Sequence, residues 1–437
     1  MKAYVTNDAK KQYWSEMTDF EKGENAMQTV RIYRDCKFQT IRGFGGAFTQ
    51  SSGINVSKLP ESKRKQFFRD YFGKDGLNYN LGRVHINSCD FSTGDYAYLK
   101  DASEPLSAFD LSVDDEYILP MLKEASEHGG IELLASPWSP PAYMKTNGDM
   151  KNGGQLKREF YGDWAAYMVK FVQEYKKRGV NISMISVQNE PAAVQTWESC
   201  IYSAEEEGTF AASFLGPALE AAGLSDVKIF VWDHNKEILF DRACGAMSVP
   251  GADKYIGGFA FHWYTGDHFD AIRLTQDRFP SKELIFTEGC VEYSRFADSN
   301  EVRKAEMYGH DMLGNLASGA TGILDWNLLL DAKGGINHVG NFCAAPIMCN
   351  DDFTDYEKRL SYYYIGHFSK FVKKGARRLA TSVYRSDIES TAFENPDGSV
   401  VCVLLNRTQN DIRFALTDGK ESHYVTLPAH SIMTVEM

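Results

Sequence analysis

Eight short, almost wholly apolar runs recur between Thr40 and Leu330, each followed by a polar, aromatic-rich loop and an amphipathic segment. They read "TIRGFGGAF", "YNLGRVHINS", "IELLASPW", "ISMISVQ", "VKIFVWD", "IGGFAFHWY", "ELIFTEG" and "TGILDWNLLL". Runs that do not alternate suit strands buried on both faces, as parallel strands are. The intervening segments have helical spacing. In "YGDWAAYMVKFVQEYKKRG", Trp164, Met168, Phe171, Val172 and Tyr175 share one face, and Lys and Arg precede a terminating Gly179. Strand–helix alternation of this kind predicts an α/β fold, a (β/α)8 TIM barrel.

The ends of the chain read differently. "TVRIYRD" predicts one strand before the barrel, and "YYYIGHFSKFVKKGARR" predicts a helix that closes it. From Leu379 onward, "ESTAF", "NPDGS" and "VVCVLLN" form a hairpin signal, and "HYVTL" and "SIMTVEM" add strands. The expected organisation is an N-terminal segment 1–38, a catalytic barrel 39–374 and a C-terminal region 375–437. The two end segments together form a side antiparallel β-sandwich.

Composition narrows the partners. Lys plus Arg number 47 against 59 Asp plus Glu, a net charge of −12, which disfavours nucleic acid and anionic membranes. No apolar run spans a bilayer, so no integral membrane association is expected. The N-terminus "MKAYVTNDAKKQYW" lacks a signal-peptide core, so the chain as given is expected in the cytoplasm, or secreted if a leader was removed. The eight cysteines show no zinc-type or CxxC spacing and read as buried free thiols.

Barrel chemistry sits at the C-terminal ends of the strands. There the runs present Asp90, Trp138, Asn189 with Glu190, Asp233 with His234, His262 with Tyr264, Glu288, and Trp326. Strands four and seven of a closed barrel face each other, so Glu190 and Glu288 can converge. Two carboxyls flanking one bond are what glycoside hydrolysis needs, and about 5–5.5 Å between them makes it retaining. The neighbouring charge is expected to keep one of the two protonated near neutrality. "GFGG" lacks the third glycine of GxGxxG, so Gly43, Gly45 and Gly46 are read as tight backbone on the first strand. Asp233–His234 has no third ligand at metal spacing. Neither metal nor cofactor is expected.

The motifs "GFGGAFTQSSG", "YNLGRVHINSCDFS", "LLASPWSPPAYMKTNG", "SVQNEP", "FHWY", "FTEGC", "DWNLLLD" and "IGHFSKF" resemble, in order, the glucosylceramidase-like enzymes of glycoside hydrolase family 30. The resemblance implies the barrel with its side β-domain, Glu190 as general acid/base and Glu288 as nucleophile. It implies Arg83 and Tyr264 orienting Glu288 and holding its pKa low, and Asn189 on the sugar 2-hydroxyl. Asp90, Trp138 and Trp326 would hold the non-reducing sugar, His262 would join the substrate site, and Asn341 would stand near the leaving group. The strand-five loop "VWDHNKEIL" departs from the pattern of lysosomal members at the aglycone entrance. The implied activity is a retaining, exo-acting β-glucosidase of glucosylceramidase type on a small-molecule or oligosaccharide β-glycoside. β-Xylosidase, β-fucosidase and endo-β-1,6-glucanase are the alternatives within the family, and a non-catalytic carbohydrate-binding barrel the alternative outside it.

Overall fold

The structure, a computed structural model, describes residues 1–23, 27–296 and 298–437. Three strands precede the barrel where one was expected: β1 (Lys2–Asn7), β2 (Gln12–Met17) and β3 (Thr29–Thr40). β1 forms on a short alternation that buries Ala3 and Val5. β3 runs on to Thr40, past the expected boundary at 38. The eight apolar runs then supply β4 (Gly43–Ala47), β5 (Leu81–Ile86), β6 (Glu132–Pro137), β7 (Ile182–Ser186), β8 (Lys228–Asn235), β9 (Ile256–His262), β10 (Glu283–Glu288) and, after a two-residue β11 (Val291–Glu292), β12 (Gly322–Asn327). They close into a parallel barrel in the order β10-β12-β4-β5-β6-β7-β8-β9.

Inside the barrel Leu81, Leu134, Met184, Phe230, Ala260, Ile285 and Leu324 form one apolar cluster, each from a different strand. β4 contributes Gly45, where a Cβ would stand 2.0 Å from the Leu81 carbonyl oxygen. That is the tight backbone expected of the glycines, and it lets β4 and β5 approach. The predicted helix at 161–179 appears as Tyr161–Lys177, with all five of its apolar positions buried.

Over the rim lie four short strands, β13 (Leu329–Leu330), β14 (Cys343–Ala344), β15 (Ile347–Cys349) and β16 (Tyr356–Lys358). The closing helix is Leu360–Ser369 and does not reach residue 378 as its sequence suggested. The Asn395 side chain accepts from the Lys373 N–H and donates to the Phe371 carbonyl, Gly375 turns with φ +88°, and Arg377 already begins a strand. The side domain continues with β17 (Arg377–Val383), β18 (Ile388–Glu394), β19 (Val400–Asn406), β20 (Ile412–Thr417), β21 (Ser422–Leu427) and β22 (Ser431–Glu436). With β1, β2 and β3 these form a nine-stranded sheet in the order β2-β1-β22-β19-β18-β17-β3-β20-β21. All its pairs are antiparallel except β3 with β20. Alternate residues of its strands meet in a second core containing Val5, Ile32, Leu404, Phe414 and Met433.

β19 explains how the two domains hold together. Val400, Cys402 and Leu404 face the sandwich core, while Val401, Val403 and Leu405 join the main core of the barrel. Leu405 and Ile432 lie against Gly309 of the helix Glu301–Ser318. A strand wedged between two cores must be apolar at every position, which is why "VVCVLL" does not alternate. All eight cysteines are free; Cys36 is exposed and Cys244 half-buried, against the expectation that the thiols are buried. Among the described residues no helix is long and apolar enough to cross a membrane.

Because β19 belongs to both cores, barrel and side domain are expected to unfold in one thermal transition. Leu405→Ala should destabilise the protein by about 3 kcal/mol, read as a lower urea midpoint. Two separate transitions would contradict the shared strand.

Candidate active site

The segment "QNEP" is held by the ends of its neighbours. Beyond β7 the Asn189 N–H donates to the Pro137 carbonyl of β6, and the Glu190 N–H donates to the Asp233 carbonyl of β8. Glu190 has φ +48°, a left-handed conformation, and Pro191 prevents the strand from continuing. On β8, Trp232 (φ +77°) and Asp233 (φ +50°) form a bulge at which pairing with β9 slips. The bulge turns Asp233 into the barrel. Asp233 there anchors a buried network.

Arg83, fully buried on β5, is the centre of that network. Its Nη1 donates to Glu288 Oε2 at 2.6 Å, its Nη2 to Asn189 Oδ1 at 2.8 Å and Asp233 Oδ2 at 2.9 Å, and its Nε to Ser136 Oγ at 3.1 Å. Ser136, Ser186 and Thr287 hydroxyls donate to the Asp233 carboxylate at 2.9, 2.6 and 2.6 Å. Tyr264 OH donates to Glu288 Oε1 at 2.9 Å, so each oxygen of Glu288 has a donor. His262 stands between Asp233 and Glu190, with Nε2 3.2 Å from Asp233 Oδ1 and Nδ1 3.3 Å from Glu190 Oε1. One oxygen from each glutamate lies within 4.8 Å of the other and of a His262 ring nitrogen.

Charge is nearly balanced here. Burial disfavours the charged ring of His262, but Glu288, Asp233 and Glu190 outweigh it and push its pKa up to about 9. Arg83 and His262 thus bring two positive charges to three carboxyls, leaving one proton for the glutamate pair to hold. Burial raises Glu288, and the negative charge of Glu190 adds to it against His262 and Arg83, so its pKa lies above the ordinary value. At Glu190 burial is outweighed by His234 and His262, and its pKa lies below the ordinary value. Arg83 pulls Glu288 down, but burial and the charge of Glu190 outweigh it, so the carboxyl is not held low as the resemblance implied.

Above the network is a cleft of about 150 Å³ lined by Asp90, Trp138, Asn189, Glu190, Tyr264, Glu288, Trp326 and Asn341 among others. The structure thus gathers nine of the ten residues singled out from the sequence around one cleft, counting Arg83 beneath it. His262 is the exception as a substrate residue: it has no exposed surface and contacts Glu190 from below. Trp138 and Trp326 stack at 5.3 Å with the Arg83 guanidinium over both rings. Asp90 is buried; its Oδ2 accepts from Asn337 Nδ2 at 3.2 Å and Asn341 Nδ2 at 3.1 Å. Asn341 is therefore joined to the Asp90 wall. Burial, reinforced by Glu288, pushes the Asp90 pKa up to about 8.

Sequence reasoning considers Asp233 and His234 only as a metal pair and passes over Ser136 and Ser186, and the lining residues Gln195, Trp197, Asn235 and Glu292. For Asp233, Ser136 and Ser186 there was a signal: a carboxyl and two hydroxyls inside apolar runs need buried partners. Gln195 and Trp197 sit in an irregular loop, and His234, Asn235 and Glu292 at the last positions of β8 and β11, where no period marks an inward side chain.

The comparisons agree with this geometry. Residues 41–372 match the glycosyl hydrolase family 30 TIM-barrel domain, and residues 375–435 the family 30 beta sandwich domain. Lysosomal acid glucosylceramidase of Mus musculus is 35% identical over 418 residues, 91% of this chain and 81% of that protein. Endo-1,6-beta-D-glucanase of Neurospora crassa is 30% identical over 414 residues, 90% of this chain and 82% of that protein. The crystal structure of SrfJ from Salmonella typhimurium superposes with a TM-score of 0.97 at 40% identity, covering 100% of this chain and 99% of that one. The endo-beta1,6-glucanase BT3312 superposes at 0.91 with 30% identity, covering 100% and 98%. With both of its domains matched, this chain belongs to glycosyl hydrolase family 30.

Proposed function

We propose that this glycosidase is a retaining, exo-acting β-glucosidase, with Glu288 as nucleophile and Glu190 as general acid/base. The observation that carries the reading is the close approach of the two carboxyls, an oxygen of each within 4.8 Å of the other. That suits the spacing of about 5–5.5 Å for double displacement and not the wider gap that admits a water. Glu288 is gripped at both oxygens by Arg83 and Tyr264, as a nucleophile that must meet an anomeric carbon in line should be. Glu190 has weaker contacts, with Gln195 Nε2 at 3.4 Å, His262 Nδ1 at 3.3 Å and His234 Nε2 at 3.8 Å, and faces the cleft.

The proton must reach Glu190 before the leaving oxygen departs. A sugar entering the cleft strips water from Glu190, which favours its neutral form. Positive charge growing at the anomeric carbon favours the anion of Glu288. Both effects move the pair's one proton towards Glu190. The exo reading rests on the Asp90 wall, where Asn337 and Asn341 back the carboxyl across the end of the cleft. Endo-β-1,6-glucanase is the second reading, favoured by the 0.91 superposition on a protein of that activity.

On nitrophenyl β-glycosides the glucoside should be cleaved ahead of the xyloside and fucoside; activity on the xyloside alone would exclude the glucose assignment. Release of internal oligosaccharides from β-1,6-glucan would select the second reading. Glu288→Gly should abolish hydrolysis and, with azide, form the α-glycosyl azide. Glu190→Ala should lose about 10²–10⁴-fold on poor leaving groups and give the β-azide; ordinary activity in both variants would refute the assignment.

The pH profile carries a separate expectation. His262 as a cation lowers both carboxyl pKa values, so removing it raises them. His262→Gln should therefore shift the acidic limb of kcat/KM to higher pH by about one unit. An unmoved or lowered limb would show that the ring is not charged.

A further inference from the structure

A second histidine repeats the arrangement of His262 at the rim, in a part of the molecule the mechanism does not use. His338 lies in the loop between β13 and β14, beside Asn337, which bonds Asp90. Its Nε2 is 3.2 Å from Glu198 Oε2 and its Nδ1 3.6 Å from Asp95 Oδ1. Carboxylates only accept, so a ring facing one at each nitrogen is complete as an imidazolium. Its own backbone N–H donates to the Asp90 carbonyl at 3.1 Å.

The three residues of this triad come from three loops of the cleft. Asp95 follows β5, a few residues after Asp90. Glu198 follows β7, beside the lining residue Trp197, and is buried with 1% of its surface exposed. His338 comes from the loop that carries Asn337 and Asn341. The titratable groups around the ring are Glu198, Asp95 and Asp90, the last with its pKa pushed up to about 8, and Lys151 lies on the far side of Asp95 at 2.8 Å. Lys151 also pairs by backbone with Glu198, which ties the two loops together. Among the described residues Glu198 Oε1 has no hydrogen-bond partner, and the His338 ring is the one side chain hydrogen-bonded to this buried carboxylate. The hydrogen bond to Glu198 raises the ring's pKa above its ordinary 6.5, with help from the charges of Glu198, Asp95 and Asp90 against burial.

We propose that protonated His338 is a positioning residue that clamps the Asp90, Trp197 and Asn337–Asn341 loops around the sugar, so the cleft loses affinity for glycoside when the ring loses its proton. This rests on the reading of the Asp90 wall as the sugar pocket. It assigns His338 no part in bond cleavage: its effect belongs in KM and not in kcat.

The test is KM and kcat against pH for the full chain, His338→Gln and His338→Lys, with amide hydrogen exchange over 337–341. In the unaltered protein KM should rise as the pH climbs through the ring's pKa. His338→Gln should raise KM about tenfold, the loss of one charge-assisted hydrogen bond, abolish that rise, and leave kcat within about twofold. His338→Lys, a permanent cation, should recover part of the affinity and show no rise at the histidine's pKa. A KM independent of pH in the unaltered protein, or equal losses in kcat and KM, would overturn the clamp. Exchange over 337–341 should quicken in His338→Gln without any substrate; unchanged exchange overturns the clamp. Quickened exchange in a protein that cleaves no glycoside would leave the clamp standing and remove the glycosidase reading instead.

Discussion

Arg83 and Asp233 form an ion pair with no access to water, and the rest of the site is arranged around it. Two charges withdrawn from solvent are tolerable only if their remaining donors and acceptors are also satisfied. Here Asp233 takes three hydroxyls, the His262 ring and the guanidinium, and Arg83 spends its other donors on Glu288, Asn189 and Ser136. The β8 bulge, with two non-glycine residues at positive φ, is the local strain that turns Asp233 inward. In return, Glu288 and Asn189 are oriented by groups rooted in the barrel wall instead of by flexible loops.

This network is also a boundary within the barrel. Below it lies the apolar layer of Leu81, Leu134, Met184 and their partners; above it is the cleft. Each contributing strand changes character along its length, from side chains that exclude water to ones that hold a proton or an anion. The strand β5 shows the step within two residues, Leu81 in the apolar layer and Arg83 in the charged one.

The parts of the fold that follow a period were legible in the sequence, and the parts that depend on partners were not. Eight apolar runs became eight barrel strands because burial on both faces leaves a continuous pattern. "KFVKKGARR" has helical composition, yet the helix ends at Ser369, and the chain beyond it is held in a non-helical path by the Asn395 side chain from the turn between β18 and β19. Glu190 and Glu288 were found from their places at strand ends. Asp233 stood equally plainly at the end of its strand. It was weighed as a metal ligand, because nothing in "VWDHN" says that the backbone will bulge and turn the carboxyl towards Arg83. His262 was assigned to the sugar for the same reason: a sequence shows that a histidine is near a site, but not on which side of the carboxyl it lies.

The same division bears on which bond the enzyme cleaves. A glucosylceramidase and an endo-1,6-glucanase both need two carboxyls at short range and a wall that holds a sugar, and both occur among the relatives of this chain. The buried network meets that common need without reference to what leaves. Gln195, Trp197, Asn235 and Glu292 line the remainder of the cleft, and among the described residues none of them is hydrogen-bonded to Arg83 or Asp233. Substitution at Asp233 would leave a buried guanidinium short of its counter-charge, whereas the rim residues lie outside that ion pair and reach the glutamates only at its edge, Asn235 through the Tyr264 N–H and Gln195 through Glu190. A scaffold built this way can change its substrate at the rim while keeping one chemistry at its base, because the two are held by different interactions.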